Sequence, residues 1–328
     1  MLRNIKSICG SLVIAAALLW GQVSAANAQE AYPNGTITFI VPYSAGGAPD
    51  FMARIVAQQL QEQIGHPVIV DNRPGSNGNV AASALAAAKP DGYTFLVLEG
   101  SLVSINPHLY NSLSYDPKED FVPVSLLGTA PTFLAVHPSV PVSTFEEFIE
   151  YAKAPPEQLN YGSSGIGTPH HLSMEALIQK YGLKMTHIPY KGSGQSVPAV
   201  LSGEVGALFA SYSAVSEFAK AGRVKLLATN NIERTAEAPD VPAIAEFIPG
   251  FDFASRMGLA AHKGTPKERI DTIAAELAKA MKVPAVVEKL AAGGVVAVGS
   301  TPEEYAEIID EEVQRVGAVI EAADIKPE

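Results

Sequence analysis

The chain has 328 residues, with 23 Lys and Arg against 34 Asp and Glu and a formal net charge of −11, which excludes a nucleic-acid partner because no basic field is available to neutralise phosphates. An apolar content of 47% with interspersed charge excludes a disordered chain, and roughly 300 residues beyond a leader are more than one core serves, so two domains are expected. Cys9 is the single cysteine and sits in the N-terminal apolar stretch, which excludes a disulfide framework and thiol chemistry in the rest of the chain.

Arg3 and Lys6 precede an apolar run from Ile8 to Trp20, followed by the small-x-small stretch Ala26-Asn27-Ala28. This pattern reads as a cleaved secretory signal over residues 1–28, with Gln29 as the new N-terminus of an exported chain. A retained anchor is the alternative, but the run falls short of the about 20 apolar residues that span a bilayer. Removing Arg3 and Lys6 leaves 21 − 34 = −13, so an anionic ligand has to be held by local dipoles against the overall field.

Thr36 to Val41 is rich in β-branched residues and reads as a strand, and the segment from Phe51 to Leu60 repeats its apolar positions at helical spacing. Between them lies Pro-Tyr-Ser-Ala-Gly-Gly-Ala-Pro-Asp, residues 42–50. Gly46 and Gly47 let backbone amides approach a ligand, and a helix N-terminus adds free N–H groups. The same residues also read as a plain strand-to-helix connection capped by Asp50. A second strand, His66 to Asp71, leads into the turn-rich loop Asn72 to Asn79, then an Ala-rich helix to Lys89 and a third strand, Thr94 to Leu98. This alternation implies parallel βαβ units, with ligands at the carboxyl ends of the strands. The turn Ser44 to Asp50 and the segment Glu99 to Asn106, including Ser101, fall there.

Phe133 to His137 reads as a strand, and Thr144 to Lys153 as a helix with Ser143 and Glu146 at capping-box spacing. The segment Leu159 to His171 repeats the opening plan of strand, glycine-rich turn and helix, its Gly162, Gly165 and Gly167 interleaved with Ser163, Ser164 and Thr168. Amides and hydroxyls together suit an anion. Further strands are expected at 184–189, 205–209, 224–229 and 252–261, a short helix at 196–201, and three closing helices at 266–281, 284–292 and 302–323 that complete the first domain.

A serine nucleophile at Ser163 or Ser164 is disfavoured because no Gly-x-Ser-x-Gly elbow exists: the fifth position of the motif counted from Gly162 is Ile166. No His-Glu-x-x-His run, Walker loop or Gly-x-Gly-x-x-Gly fingerprint occurs, so neither metal nor nucleotide cofactor is expected. Arg54 suits either a ligand carboxylate or Asp50, Arg73 suits its own loop, and Lys191 reads as a rim residue or a solvated lysine.

The ordered motifs Val-Pro-Tyr-Ser-Ala-Gly-Gly-Ala-Pro-Asp, Val-Asp-Asn-Arg-Pro-Gly-Ser-Asn-Gly-Asn, Tyr-Gly-Ser-Ser-Gly-Ile-Gly-Thr-Pro-His-His and Pro-Tyr-Lys-Gly-Ser-Gly resemble the substrate-binding proteins of tripartite tricarboxylate transporters, the Bug receptors. The likeness spans essentially the whole chain after the leader. It implies a two-domain α/β periplasmic binding protein of type II-like plan, with mostly parallel sheets: domain 1 at 29–130 plus 254–328, domain 2 at 131–253. It further implies a non-catalytic monomer that closes over a small carboxylate and hands it to inner-membrane permease subunits, a sensor kinase being the alternative partner. Carried onto this chain, one jaw is Tyr43, Ser44, Ala45, Gly46, Gly47 and Asp50, and the other Ser163, Ser164, Gly165, Gly167 and Thr168, with His171. A β-branched residue at Gly47 is expected to abolish binding. Ala199 and Gly206 stand where relatives commonly carry Asp, which disfavours an α-amino acid. Arg256 stands where an aromatic is common, and suits the second carboxylate of a dicarboxylate or an aromatic carboxylate.

Overall fold

The structure, a computed structural model, describes residues 32–323 and 325; the expected signal at 1–28, with Cys9, lies outside them. Strand β1 (Ile37–Val41) is apolar but for the half-buried Thr38, as suits a strand covered on both faces. It feeds α1 (Ala48–Ile64), and β2 (Val68–Asn72), α2 (Asn79–Ala86) and β3 (Thr94–Glu99) follow. β1 pairs in parallel with both β2 and β3, the expected βαβ arrangement. A π-helical turn, Ser101–Ile105, and one α-turn, Asn106–Leu109, then lead to β4 (Phe121–Ala130). The sequence reading missed β4, because Pro123 breaks the strand pattern; in the fold a register shift beside Ala260, the partner of Pro123, accommodates it.

The chain enters a second sheet at β5 (Thr132–Val136), followed by α3 (Phe145–Lys153), β6 (Leu159–Ser163), α4 (Pro169–Tyr181), β7 (Met185–Pro189), α5 (Ser193–Ser202), β8 (Ala207–Ser211), α6 (Tyr212–Lys220) and β9 (Lys225–Thr229). It returns to the first sheet through β10 (Ser255–His262) and ends with α7 (Lys267–Ala280), α8 (Pro284–Ala292), β11 (Val296–Ala297) and α9 (Pro302–Ala322). The sheet orders are β11-β4-β10-β3-β1-β2 and β7-β6-β8-β5-β9. β1 to β4 run one way against β10 and β11, and β6 to β9 run against β5, so most strands share a direction in each sheet although the pairings are mixed.

Two capping assignments shift by physical detail. α1 is capped by Gly47, with Asp50 inside its first turn, and α3 by Thr144, whose hydroxyl accepts from Glu147 N at 3.2 Å while Glu147 accepts from Ser143 N at 2.6 Å. Ser143 and Glu146 share the same spacing one residue earlier, which is why sequence could not separate them. α7 packs against α1, where Gln63 Nε2 donates to the Glu276 carbonyl at 3.0 Å. α9 spans both halves: Tyr305 is buried under the first sheet, whereas Val316, Val319 and Ile320 join the core of the second. No helix among the described residues is long and apolar enough to cross a membrane.

Candidate functional site

A cavity of about 1100 Å³ opens at the carboxyl ends of β1, β3 and β6, with walls from both sheets. It gathers Tyr43, Gly47 and Ser101 from one side and Ser164, Gly165, Gly167, Thr168 and His171 from the other. The remaining expected residues are placed differently. Ser44, Ala45 and Gly46 are exposed and do not line the cavity, while Asp50 and Ser163 are buried beneath it.

Asp50 is the brace of the first turn. Its carboxylate accepts Gly46 N at 2.9 Å, Arg54 Nε at 3.0 Å and Asn72 Nδ2 at 2.9 Å. Burial works to raise its pKa, but the hydrogen bonds from Arg54, Gly46 and Asn72 outweigh it and hold the carboxyl below its ordinary value. The Gly46 amide is thereby used internally, leaving the amides of Gly47 and Ala48 for a ligand, since Pro49 has none. Gly47 has φ −79° and nothing nearer than 3.8 Å to an added Cβ, so the backbone reason for expecting a β-branched residue to fail there applies instead to Gly46, at φ +94°.

Glu99, which sequence reasoning named only as the start of a segment, is the centre of the first wall. Tyr43 donates its hydroxyl to Glu99, Ser101 Oγ donates to Oε2 at 2.9 Å, and Ser255 Oγ donates to Oε1 at 2.7 Å. Burial and the Glu99 charge push the Tyr43 hydroxyl well above its ordinary pKa, keeping it a neutral donor.

Imidazoles underlie the second wall. The His171 and His187 rings stack with centroids 4.0 Å apart, and Tyr161 stacks on His187 at 4.8 Å. Gly167 N donates to His171 Nδ1 at 3.1 Å, which puts that ring's proton on Nε2. Ser163 Oγ meets His187 Nε2 at 2.7 Å and is also bound within its own turn by Gly165 N at 3.1 Å. Ser164 is paired with His170, whose pKa burial lowers to about 4. An imidazole that weak is poorly matched to general-base work near neutral pH. Among the described residues no cluster of three His, Cys, Asp or Glu could hold a metal.

The stack makes stability depend on pH. Burial, then the neighbouring His187, lowers His171 to about 3, against the ordinary value of 6.5 that an unfolded chain retains. Between those values the unfolded chain binds a proton that the folded chain refuses, so stability falls as pH falls from 6.5. At pH 5 this one group costs about 2 kcal/mol. The melting temperature is expected to drop between pH 7.5 and pH 5, and less steeply in His171→Asn, whose amide oxygen can still accept from Gly167. Equal slopes would remove His171 as the cause.

Arg256 does not reach the large cavity. It is 9% exposed and lies between Asp252 and Glu312, donating to Glu312 Oε2 at 3.2 Å, so its charge is consumed by α9 rather than offered to a ligand. Ala199 and Gly206 also lie off the cavity, Ala199 packed among Val197 and Val200 and Gly206 against Leu159. Their lack of a carboxylate therefore carries no argument about ligand amines. Glu99, Asn77, His170, His187 and Lys191 also line the cavity, with Tyr110, Thr132, Ser193, Ser211 and Ser255 as further polar groups. His187 sits at the register position beside Tyr161, on the strand next to the second turn, and that pairing is invisible without the sheet order.

Residues 52–325 match the family described as the tripartite tricarboxylate transporter family receptor. The chain is 33% identical to protein BugT of Bordetella pertussis over 306 residues, covering 93% of this chain and 94% of that protein. The structure of R. palustris Rpa4515 with adipate is similar at TM-score 0.77 and 32% identity, covering 90% of this chain and 100% of the other. MatC from Rhodopseudomonas palustris with bound malate is similar at TM-score 0.71 and 28% identity, covering 88% and 100%.

Proposed function

The chain belongs to the tripartite tricarboxylate transporter receptor family, a family of periplasmic solute-binding proteins, and from that premise we propose that it captures a small carboxylate between its two halves and delivers it to a membrane permease. A dicarboxylate is favoured, with an aromatic carboxylate second. The observation that carries this reading is the pair of strand-turn-helix junctions, at Gly47 and at Gly165 to Thr168, that line one cavity. Each offers amides or hydroxyls to an anion in a chain whose net charge is −11. Solved relatives hold adipate and malate, which supports the dicarboxylate class.

At about 1100 Å³ the cavity stands just above the usual range for small-molecule sites, roughly 300–1,000 Å³. A small acid would fill it only after the halves approach, and the ligand drives that hinge motion by its greater affinity for the closed state. The moving parts are proposed to divide at 130/131 and 253/254, where the chain passes between sheets. Export to the periplasm through the segment 1–28 is part of the same proposal.

A thermal-shift panel of adipate, malate, citrate, nicotinate, terephthalate and aspartate tests the function. A true ligand at 100 times its Kd adds about 2.7 kcal/mol to stability, a rise of several degrees. No shift with any carboxylate would overturn the reading.

A further inference from the structure

We propose that Lys191 receives the second, outer carboxylate of a dicarboxylate whose first carboxylate sits in the glycine turns; this rests on the carboxylate-receptor reading above. Among the described residues, Lys191 is the one lysine or arginine that lines the large cavity. Its position is fixed by the second turn itself. Tyr190 N donates to Ser163 O at 3.1 Å and Gly192 N donates to Ser164 O at 3.1 Å, so both neighbours of Lys191 are tied to that turn by backbone bonds. The Lys191 amide in turn donates to Gln195 Oε1 at 3.1 Å. The side chain, by contrast, is exposed at the mouth and takes part in no ion pair or hydrogen bond among the described residues. Lys153, Lys220 and Lys267 differ, each held by an acid three or four residues away on its own helix. The stretch from Pro189 to Leu201 contains no acid.

Charge then sets the direction of the ligand. Gly165 and Thr168 lie deeper than the exposed Lys191, so a carboxylate in the turn is the inner end of the ligand and the lysine meets the outer end. The other full charge on the lining is Glu99, on the opposite wall, already accepting from Tyr43, Ser101 and Ser255. A second carboxylate is repelled there and attracted to the flexible ammonium across the cavity. Arg256, the residue that sequence pointed to for this role, has its charge neutralised by Asp252 and Glu312.

The test is calorimetry on the full mature chain with adipate and with hexanoate, which has the same length and one carboxylate, for wild type, Lys191→Gln and Lys191→Arg. The charge-assisted bond in a closed cleft is expected to make Lys191→Gln about tenfold or more weaker for adipate. Hexanoate affinity should stay within about twofold, Lys191→Arg should recover most of the adipate affinity, and the salt dependence of adipate binding should flatten in the glutamine variant. An adipate-to-hexanoate ratio unchanged by Lys191→Gln overturns the assignment, as does equal weakening of both acids, which would put the lysine on the shared carboxylate. Wild-type protein that binds neither acid nor any other carboxylate overturns the receptor reading itself, and this outcome is distinct from the other two.

Discussion

Gly167→Val is expected to abolish carboxylate binding and to lower the melting temperature. Gly167 has φ +75°, and a Cβ there would lie 2.4 Å from Leu109 Cδ1 and 3.3 Å from Ile105 Cγ2, on the short helical turns that follow β3. Left-handed backbone costs a side-chain-bearing residue about 1–2 kcal/mol, and overpacking adds about 1–3 kcal/mol. The Gly167 amide donates to His171 Nδ1, so any relief by moving the turn also breaks the bond that holds the imidazole stack under it. Together these effects amount to about 2–5 kcal/mol, more than a hundredfold in affinity at the upper end. Calorimetry and thermal unfolding on the same samples check it. Pairing Gly167→Ala with Leu109→Ala should restore the steric part and leave the backbone part. Native affinity in Gly167→Val would show that the turn adopts another path and is not a jaw.

Arg256→Met is expected to do the reverse, damaging stability while sparing binding. Arg256 and Glu312 are both buried, and Glu312 also accepts from Ser104 Oγ at 3.0 Å. Burial raises the Glu312 pKa although Arg256 and Ser104 oppose it, so removal of the guanidinium leaves an acid with little compensation. Breaking a buried pair by removing one partner costs about 3–5 kcal/mol, a melting-temperature fall of roughly 6–20 °C for a protein of this size. Ligand affinity, measured well below the lowered transition, should stay within about twofold. A fall in affinity with unchanged stability would return Arg256 to the ligand.

The two outcomes divide along a line that also separates what could be read from the chain alone. The two turns were legible because a strand, a turn and a helix start are local: the β-branched stretch Thr36 to Val41 and the strand Leu159 to Ser163 each lead into a glycine-containing turn, and helical spacing resumes within a few residues. What a side chain does inside those jaws was less legible. Asp50 looked like a cap and is a brace, because Asn72, on the next strand, and Arg54 complete its shell. Ser44, Ala45 and Gly46 carry the right chemistry but are exposed and do not line the cavity, the chain turning at Gly46 with φ +94°.

By itself, then, the sequence determined the class of fold and the two glycine turns, since both depend on residue periodicity and on backbone freedom over short spans. The tertiary structure alone decided which charges are available. Glu99 meets Ser255 across 156 positions and Arg256 meets Glu312 across 56, each through packing of strand against strand or strand against α9. Whether a charged side chain faces a ligand or an internal partner depends on which groups folding brings within a few ångströms, because Coulomb attraction in a buried site is decided by the nearest opposite charge. For that reason Arg256 is spoken for inside the protein, and Lys191, tied to the second turn and in no side-chain ion pair or hydrogen bond among the described residues, lines the cavity.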